Sequence, residues 1–513
     1  MINKTASIIF ALSWSIQAPA QMFQDQTSTL FPTPAATDFS NQLTIGDIDG
    51  DNDLDIIFAN GGNFFNAGND QPTRIYRNNG TGTFTDVSQA QLGFNGLVRG
   101  VELGDIDGDG DLDMILVQDF DRQPHLFNNN GNGVFSDVTN TQLPVMELSS
   151  SRAQFADIDN DGDIDLYIAS GQNNRFGCGQ NKILINDGTG AFSDETALRH
   201  PLENLCENMD VSIADIDGDF DLDIRVGNRA SNSRLYLNNG AGIFTLSNNM
   251  PNDSTCYSYD FGDVDGDGDL DLLGANARSG SSAEALFIND GNGSFTDASN
   301  QISPNPGGDD DNDSKFLDLD NDGDLDLIIA SLSANAEKIY LNDGNGNFTQ
   351  AQNLITGIAD SSLDIMVADL TGDGRLDIVT AQGESGSFIN RIYINQMGAI
   401  DTRPPRIITT ERPASTDSLG SYPIRVAILD DMSSDRGFFT QDIILHYDID
   451  GGVEQAITMF HSGGQIYRGL IPVQVSGTTI NYFVTAVDFA GNMATGQSQS
   501  IAISELIFNN GFE

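Results

Sequence analysis

One nine-residue segment built on alternating aspartates occurs seven times in this chain. The copies are DIDGDNDLD (Asp47, Asp49, Asp51, Asp53, Asp55), DIDGDGDLD (Asp105, Asp107, Asp109, Asp111, Asp113) and DIDNDGDID (Asp157, Asp159, Asp161, Asp163, Asp165). DIDGDFDLD (Asp215, Asp217, Asp219, Asp221, Asp223), DVDGDGDLD (Asp263, Asp265, Asp267, Asp269, Asp271) and DLDNDGDLD (Asp318, Asp320, Asp322, Asp324, Asp326) follow. The last, DLTGDGRLD, keeps Asp369, Asp373 and Asp377 but places Thr371 and Arg375 at the third and seventh positions. First aspartates 47 and 369 lie six steps apart, a mean period of about 54 residues. That length exceeds most solenoid repeats and suits a four-stranded propeller blade.

Each unit has the same order. An alternating stretch such as Leu43-Thr-Ile-Gly enters the Asp loop, and a run such as Ile56-Ile-Phe-Ala leaves it. A variable polar loop, a short strand like Arg74-Ile-Tyr-Arg and a tight turn like Asn78-Asn-Gly-Thr-Gly come next, then a strand opening with Phe84-Thr-Asp. Asn-Gly and Asp-Gly turns favour hairpins because both central residues need positive φ. The turn occurs six times against seven Asp loops, and after the seventh loop the chain stops at Arg391-Ile-Tyr-Ile-Asn. Phe23-Gln-Asp near the N-terminus matches the missing strand, so Met22 to Thr29 is predicted to supply the outer strand of the seventh unit. Closure of that kind removes the open edge of the array; a free N-terminal arm is the alternative.

Hard cations such as Ca²⁺ take six to eight oxygen ligands, and alternating aspartates on a tight loop direct carboxylates inward. In the second copy the side chains of Asp105, Asp107, Asp109 and Asp113 are expected as ligands, with the backbone carbonyl of Asp111 as another. An EF-hand shares the D-x-D-x-D-G opening but needs Glu at position 12, and none of the seven copies has one. About seven Ca²⁺ sites are expected, the seventh the weakest because of Thr371 and Arg375. Phe220, where the other copies have Gly or Asn, puts the fourth turn in question.

The loops hold 33 of the 75 acidic residues, so much of the formal charge of −52 describes ion sites. With 23 Lys+Arg the chain lacks the clustered cations of a nucleic-acid surface. Residues 1–20 combine Lys4, an apolar stretch and Ala18-Pro19-Ala20, the pattern of a secretory signal. A cleaved signal implies a secreted or cell-surface protein and an oxidising compartment. No later segment is apolar enough to span a bilayer.

With these motifs in view, the repeats resemble the FG-GAP/VCBS repeats of integrin-α-like propellers, over roughly Phe23 to Asn395. Phe261-Gly-Asp and Phe155-Ala-Asp keep the Phe-Gly part, while Asn-Asp-Gly-x-Gly-x-Phe turns replace Gly-Ala-Pro. The resemblance implies an all-β, seven-bladed β-propeller over 21–398, with Ca²⁺ in the hairpin between the first two strands of each blade. It also implies adhesion or ligand binding.

The Asp loops are expected on one face and the variable loops on the other, together with Cys178, Cys206 and Cys256. Cys178 and Cys206 belong to neighbouring connections and are the expected disulfide, which leaves Cys256 as a free or intermolecular thiol. Alternation in the strand before each Asp loop places polar residues along the axis. Arg152, Asp210, Asp313, Lys315 and Asp364 are therefore the expected ligand-contact ring, a water-filled channel being the other reading. Arg225 replaces an apolar residue and is expected to pair with a neighbouring unit's acid or to reach a ligand.

Composition shifts at Asp401-Thr-Arg-Pro-Pro, a stiff linker over 399–406. Strand-like runs over 407–504 suggest a small β-sandwich, and YFVTAVDFAGN (Tyr482 to Asn492) resembles a late strand and turn of fibronectin-III/Ig-like modules. Asp430, Asp431 and Asp435 are a candidate further Ca²⁺ site or a polar loop. Residues 505–513 form a tail.

Neither H-E-x-x-H nor G-x-S-x-G occurs. The expected function is a calcium-binding adhesion or ligand-binding protein for a protein or glycan, with the ligand on the face opposite the Asp loops. A Ca-dependent polysaccharide lyase or hydrolase and a structural surface-assembly protein are the alternatives.

Overall fold

The computed structural model describes residues 21–504 apart from 34, 63–66, 172–177, 254, 279–280, 309, 333–335, 359, 384–385, 414–419, 431 and 433–439. The expected signal (1–20), the tail (505–513), Asp431 and Asp435 lie outside the described residues.

The repeat folds as a four-stranded antiparallel sheet, to which Ile302–Ser303 adds a fifth, parallel strand in unit six. In unit one the strands are Ser40–Gly46, Asp55–Asn60, Arg74–Arg77 and Thr85–Asp86, paired in that order. The first strands of units two to seven are Val98–Gly104, Ser150–Ala156, Asn208–Ala214, Ser258–Gly262, Asp311–Leu317 and Ser362–Ala368. Each first strand packs beside the next, and Ser362–Ala368 packs beside Ser40–Gly46, so the seven sheets form a propeller-like ring. The fourth strand of unit seven is Phe23–Asp25, whose Phe23, Gln24 and Asp25 pair with Asn395, Ile394 and Tyr393. The N-terminal segment thus completes the last unit, although of the expected Met22 to Thr29 only Phe23–Asp25 is strand and Thr27–Leu30 forms a helical turn.

Second strands such as Asp55–Asn60 and Asp113–Gln118 are buried throughout, which is why they read as unbroken apolar runs rather than alternating ones. The cores lie between neighbouring sheets. Ile57, Ile75, Val101 and Met114 join units one and two, and Leu43, Phe58, Met366 and Val379 join units one and seven.

Residues 406–502 form two sheets packed face to face. One contains Arg406–Thr410, Tyr422–Leu429, Ile466–Ile471 and Phe460–Gly463. The other centres on Thr440–Ile449 and Thr479–Asp488. Ile424, Val426, Leu445, Ile480 and Val484 fill the space between them. This sandwich sits on the Asp-loop face of the ring: Asp157 N donates to Ser462 O at 2.7 Å, Leu317 bridges to Met432, and Ala427 and Ile466 enter the core of units three and four.

Candidate metal centre and interdomain groove

Each Asp loop turns on two residues in the left-handed region, its fourth and sixth. Gly108 (φ 74°) and Gly110 (φ 92°) do so in loop two. Gly or Asn occupies both positions in every copy except at Phe220, which adopts φ 70° and pays the steric cost a Cβ incurs there. The contact that offsets this lies outside the loop: the Arg425 guanidinium of the sandwich lies 5.8 Å from the Phe220 ring centre and donates to its carbonyl oxygen at 2.5 Å.

Within the loop, the first aspartate collects the N–H groups that the turn leaves open. Asp105 accepts Gly108 N–H at 2.9 Å and Gly110 N–H at 3.1 Å. The ninth is held by two backbone donors, Ile106 N–H at 3.2 Å and Asn129 N–H at 2.8 Å for Asp113. All seven ninth-position aspartates repeat that pair. The third residue is different. Asp49, Asp107, Asp159, Asp217 and Asp265 each keep a buried carboxylate oxygen with no hydrogen-bond partner, and Thr371 keeps its buried hydroxyl oxygen without one; the other oxygen of Asp49 meets Arg77 and that of Asp159 meets Arg199 at 3.0 Å.

In loops one to five, oxygens of the first, third and ninth aspartates come within 4.8 Å of one another. Buried oxygens without partners are costly, and an all-oxygen donor set suits a hard cation. The residues present therefore fit a divalent ion such as Ca²⁺. The fifth residue sits at the rim, where Asp109 accepts Asp111 N–H at 3.0 Å. The seventh abuts the hairpin turn: a Cβ on Gly80 would stand 2.6 Å from Asp53 Oδ2, which explains glycine there. In loop seven Arg375 turns to Asp373 at 2.9 Å and to Gly398 O at 2.9 Å.

Burial raises the ninth aspartates against the opposing pull of their backbone donors. Asp55, Asp113 and Asp326 are pushed up to about 7, and Asp165, Asp271 and Asp377 to about 8. Neighbouring loop carboxylates add to the rise. A cation between them reverses this logic by favouring the ionised form.

The hairpin asparagine carries a role that the sequence did not disclose. Asn129 Nδ2 donates to Ile48 O of the preceding Asp loop at 2.7 Å, and Asn186, Asn238, Asn289 and Asn342 repeat the link at 2.7 to 2.9 Å. Asn78 Nδ2 donates to Leu370 O at 3.0 Å, which joins units one and seven. Only the fixed Asn at the first turn position, beside a second position that varies between Asn and Asp, signals it.

The five residues expected to contact ligand are gathered at the centre of the ring, but buried. Arg152 is 8% exposed, Lys315 2%, and Asp210, Asp313 and Asp364 0%. Arg152 of unit three spans to Asp364 of unit seven at 2.8 Å and lies 3.5 Å from Asp210. Lys315 lies 3.3 Å from Asp260 and 3.8 Å from Asp313. The carboxylates also fasten the ring: Asp364 accepts Leu43 N–H at 2.7 Å, Asp210 accepts Tyr259 N–H at 2.9 Å and Asp313 accepts Ile365 N–H at 3.3 Å. A β-bulge precedes Asp210, Asp313 and Asp364 and re-aims their side chains. Gly100 leaves room for the corresponding Gln42, since a Cβ would stand 2.9 Å from Gln42 Oε1.

Arg225 is fully buried, paired with Asp253 at 2.5 Å and stacked 4.3 Å over Tyr259. On the face away from the Asp loops, Cys178 and Cys206 form a disulfide, and Cys256 is a buried free thiol.

Cavities open on the Asp-loop side. One of about 680 Å³ lies between loops two and three and the sandwich, with Glu102, Asp105, Asp109 and Asp163 on one wall and Met459, Phe460 and His461 on the other. Another of about 430 Å³ is lined by Asp47, Asp53, Asp369, Asp401 and Phe489.

A family model described as FG-GAP-like repeat matches residues 63–116, 109–168, 157–226, 215–274 and 318–380. No curated protein matches the chain. Among solved structures, a bromine derivative of BhCBM56 aligns at 16% identity over 20% of this chain and 95% of its own, with a TM-score of 0.15. A variant fructofuranosidase from Schwanniomyces occidentalis, complexed with fructosylnystose, aligns at 9% identity over 92% of this chain and 94% of its own, with a TM-score of 0.28. Likenesses at these scores assign neither activity nor ligand. The matched repeats cover more than half of the chain, and on that ground the protein belongs to the FG-GAP-like repeat family.

Proposed function

We propose that the chain is a calcium-loaded, seven-bladed β-propeller with a fibronectin-III/Ig-like module, acting outside the cell as a ligand-binding or adhesion protein. The observation that carries the calcium reading is the buried third-position oxygen without a partner, repeated in six loops. The disulfide and the repeat family support an extracellular setting.

For the ligand, the cavity of about 680 Å³ is the better-supported seat. Its volume suits a binding site, and Phe460, 43% exposed, offers an aromatic surface on its wall. This moves the binding surface from the face opposite the Asp loops to the Asp-loop side, because the axial residues are occupied with one another. The same occupation counts against a lyase: Lys315 and Arg152, the bases such a reaction would recruit, are buried in ion pairs.

Equilibrium dialysis against Ca²⁺ followed by a glycan and protein array, with and without EDTA, tests both parts. Calcium retention with EDTA-sensitive binding that Phe460→Ala abolishes is expected. Absence of bound calcium overturns the metal reading, and binding indifferent to Phe460→Ala overturns the groove.

A further inference from the structure

The seven first-position aspartates divide into two sets. Asp157, Asp215, Asp263 and Asp318 are buried, at 1%, 6%, 5% and 9% exposure. Asp47, Asp105 and Asp369 are half-buried and hold only N–H groups of their own loops.

What separates the sets is contact at the first aspartate: the sandwich and its linker deliver one polar residue to each buried member, whereas in loop seven the linker reaches the turn, through Asp401 N–H to Gly374 O at 2.8 Å, and not Asp369. Arg468 Nη1 lies 3.1 Å from Asp157 Oδ2. Gln465 accepts Asp215 N–H at 3.2 Å and donates to Asp215 O at 2.7 Å. Arg406 Nη2 lies 2.7 Å from Asp263 Oδ2. Arg403 lies 3.9 Å from Asp318 Oδ2 and donates to Asp322 O at 2.9 Å. The loops make room for this approach. A Cβ on Gly162 would run into Arg468, and one on Gly323 into Arg403.

Asp157 shows how an ion and an arginine share one carboxylate. Its Oδ2 faces Arg468, its buried Oδ1 has no hydrogen-bond partner, and Asp157 belongs with Asp159 and Asp165 to a group able to converge on a cation. The arginine therefore holds the ligand from the sandwich side.

We propose that the loops form two classes of cation site. Loops three to six are an occluded set whose ions exchange only when the sandwich lifts, and loops one, two and seven are an open set. This rests on the reading of the loops as calcium sites. Release from the occluded set requires breaking the contacts of Arg468, Gln465, Arg406 and Arg403, an opening step absent from the open set.

The test is stopped-flow mixing of the calcium-loaded full chain with excess fluorescent chelator. The expected record has a slow phase worth four ions, at least about tenfold slower than the rest. Arg406→Ala, whose side chain is 43% exposed, is expected to move one ion from the slow phase to the fast. Arg468→Ala with Arg406→Ala is expected to move two, while the fast phase keeps its rate. A single phase in the unaltered chain, or a slow phase that keeps four ions in Arg406→Ala, overturns the two classes. A chain that carries no calcium before mixing overturns the underlying metal reading instead.

Discussion

Asp364, in the first strand of unit seven, accepts the backbone N–H of Leu43 in unit one at 2.7 Å, across the point where the ring begins and ends. Its other oxygen receives Arg152 at 2.8 Å. One buried carboxylate thus ties together units one, three and seven.

Asp364→Ala strands the Leu43 N–H and leaves Arg152 without this partner. Removing one side of a buried pair costs about 3 to 5 kcal/mol. Urea unfolding is expected to show a midpoint lowered by that order. A midpoint within error of the parent would mean that the axial network is not a fastening.

Arg225→Ala leaves Asp253 buried opposite an empty space. The pair is 1% and 0% exposed, so a loss of about 3 to 5 kcal/mol is expected here too. If Arg225 instead served a ligand, the variant would keep its melting temperature and lose binding.

Phe23→Ala opens a cavity against Tyr393 and Leu317, since Phe23 is 0% exposed in the core of units six and seven. A large-to-small change of this kind costs about 3 to 5 kcal/mol. Circular dichroism melts are expected to show it, together with a rise in light scattering as the edge of unit seven, Arg391–Asn395, loses its partner.

Acidity acts on the metal-free protein through the ninth aspartates. In six of them the folded values, about 7 to 8, stand above the unfolded value of about 3.9, and burial raises Asp223 in the same direction. Between those limits the folded state binds more protons than the unfolded one, so stability falls as pH rises. In EDTA the melting temperature is expected to drop from about pH 5 to about pH 8. In calcium the decline is expected to disappear, because the ion requires the carboxylates ionised. A melting temperature in EDTA that climbs over this range would contradict the assignment.

The sequence carried the Asp loops, the sheet of four strands and the strand Phe23–Asp25 because each is written in local periodicity and turn chemistry. Interactions between units were harder to read. Asp364 and Arg152 looked like channel-lining groups, since alternation identifies the axial side of a strand but not how closely opposite sides approach. Asn129 looked like a turn former alone. Phe220 read as an irregularity, and the reason for it, Arg425, lies 205 residues away. At Phe220 the departure from the repeat marks a contact from outside it, whereas Arg225 and Arg375 departed to pair within the ring, with Asp253 and Asp373.

The strand Phe23–Asp25 pairs with Arg391–Asn395, more than 360 residues later. A ribosome delivers the first partner long before the second, so the earliest strand must wait, edge exposed, until almost the whole ring has been made. Contacts so distant in sequence slow folding. Closure of the ring is accordingly a late event governed by unit seven, and a nascent chain cut short of Arg391–Asn395 is a circle that has no way to shut.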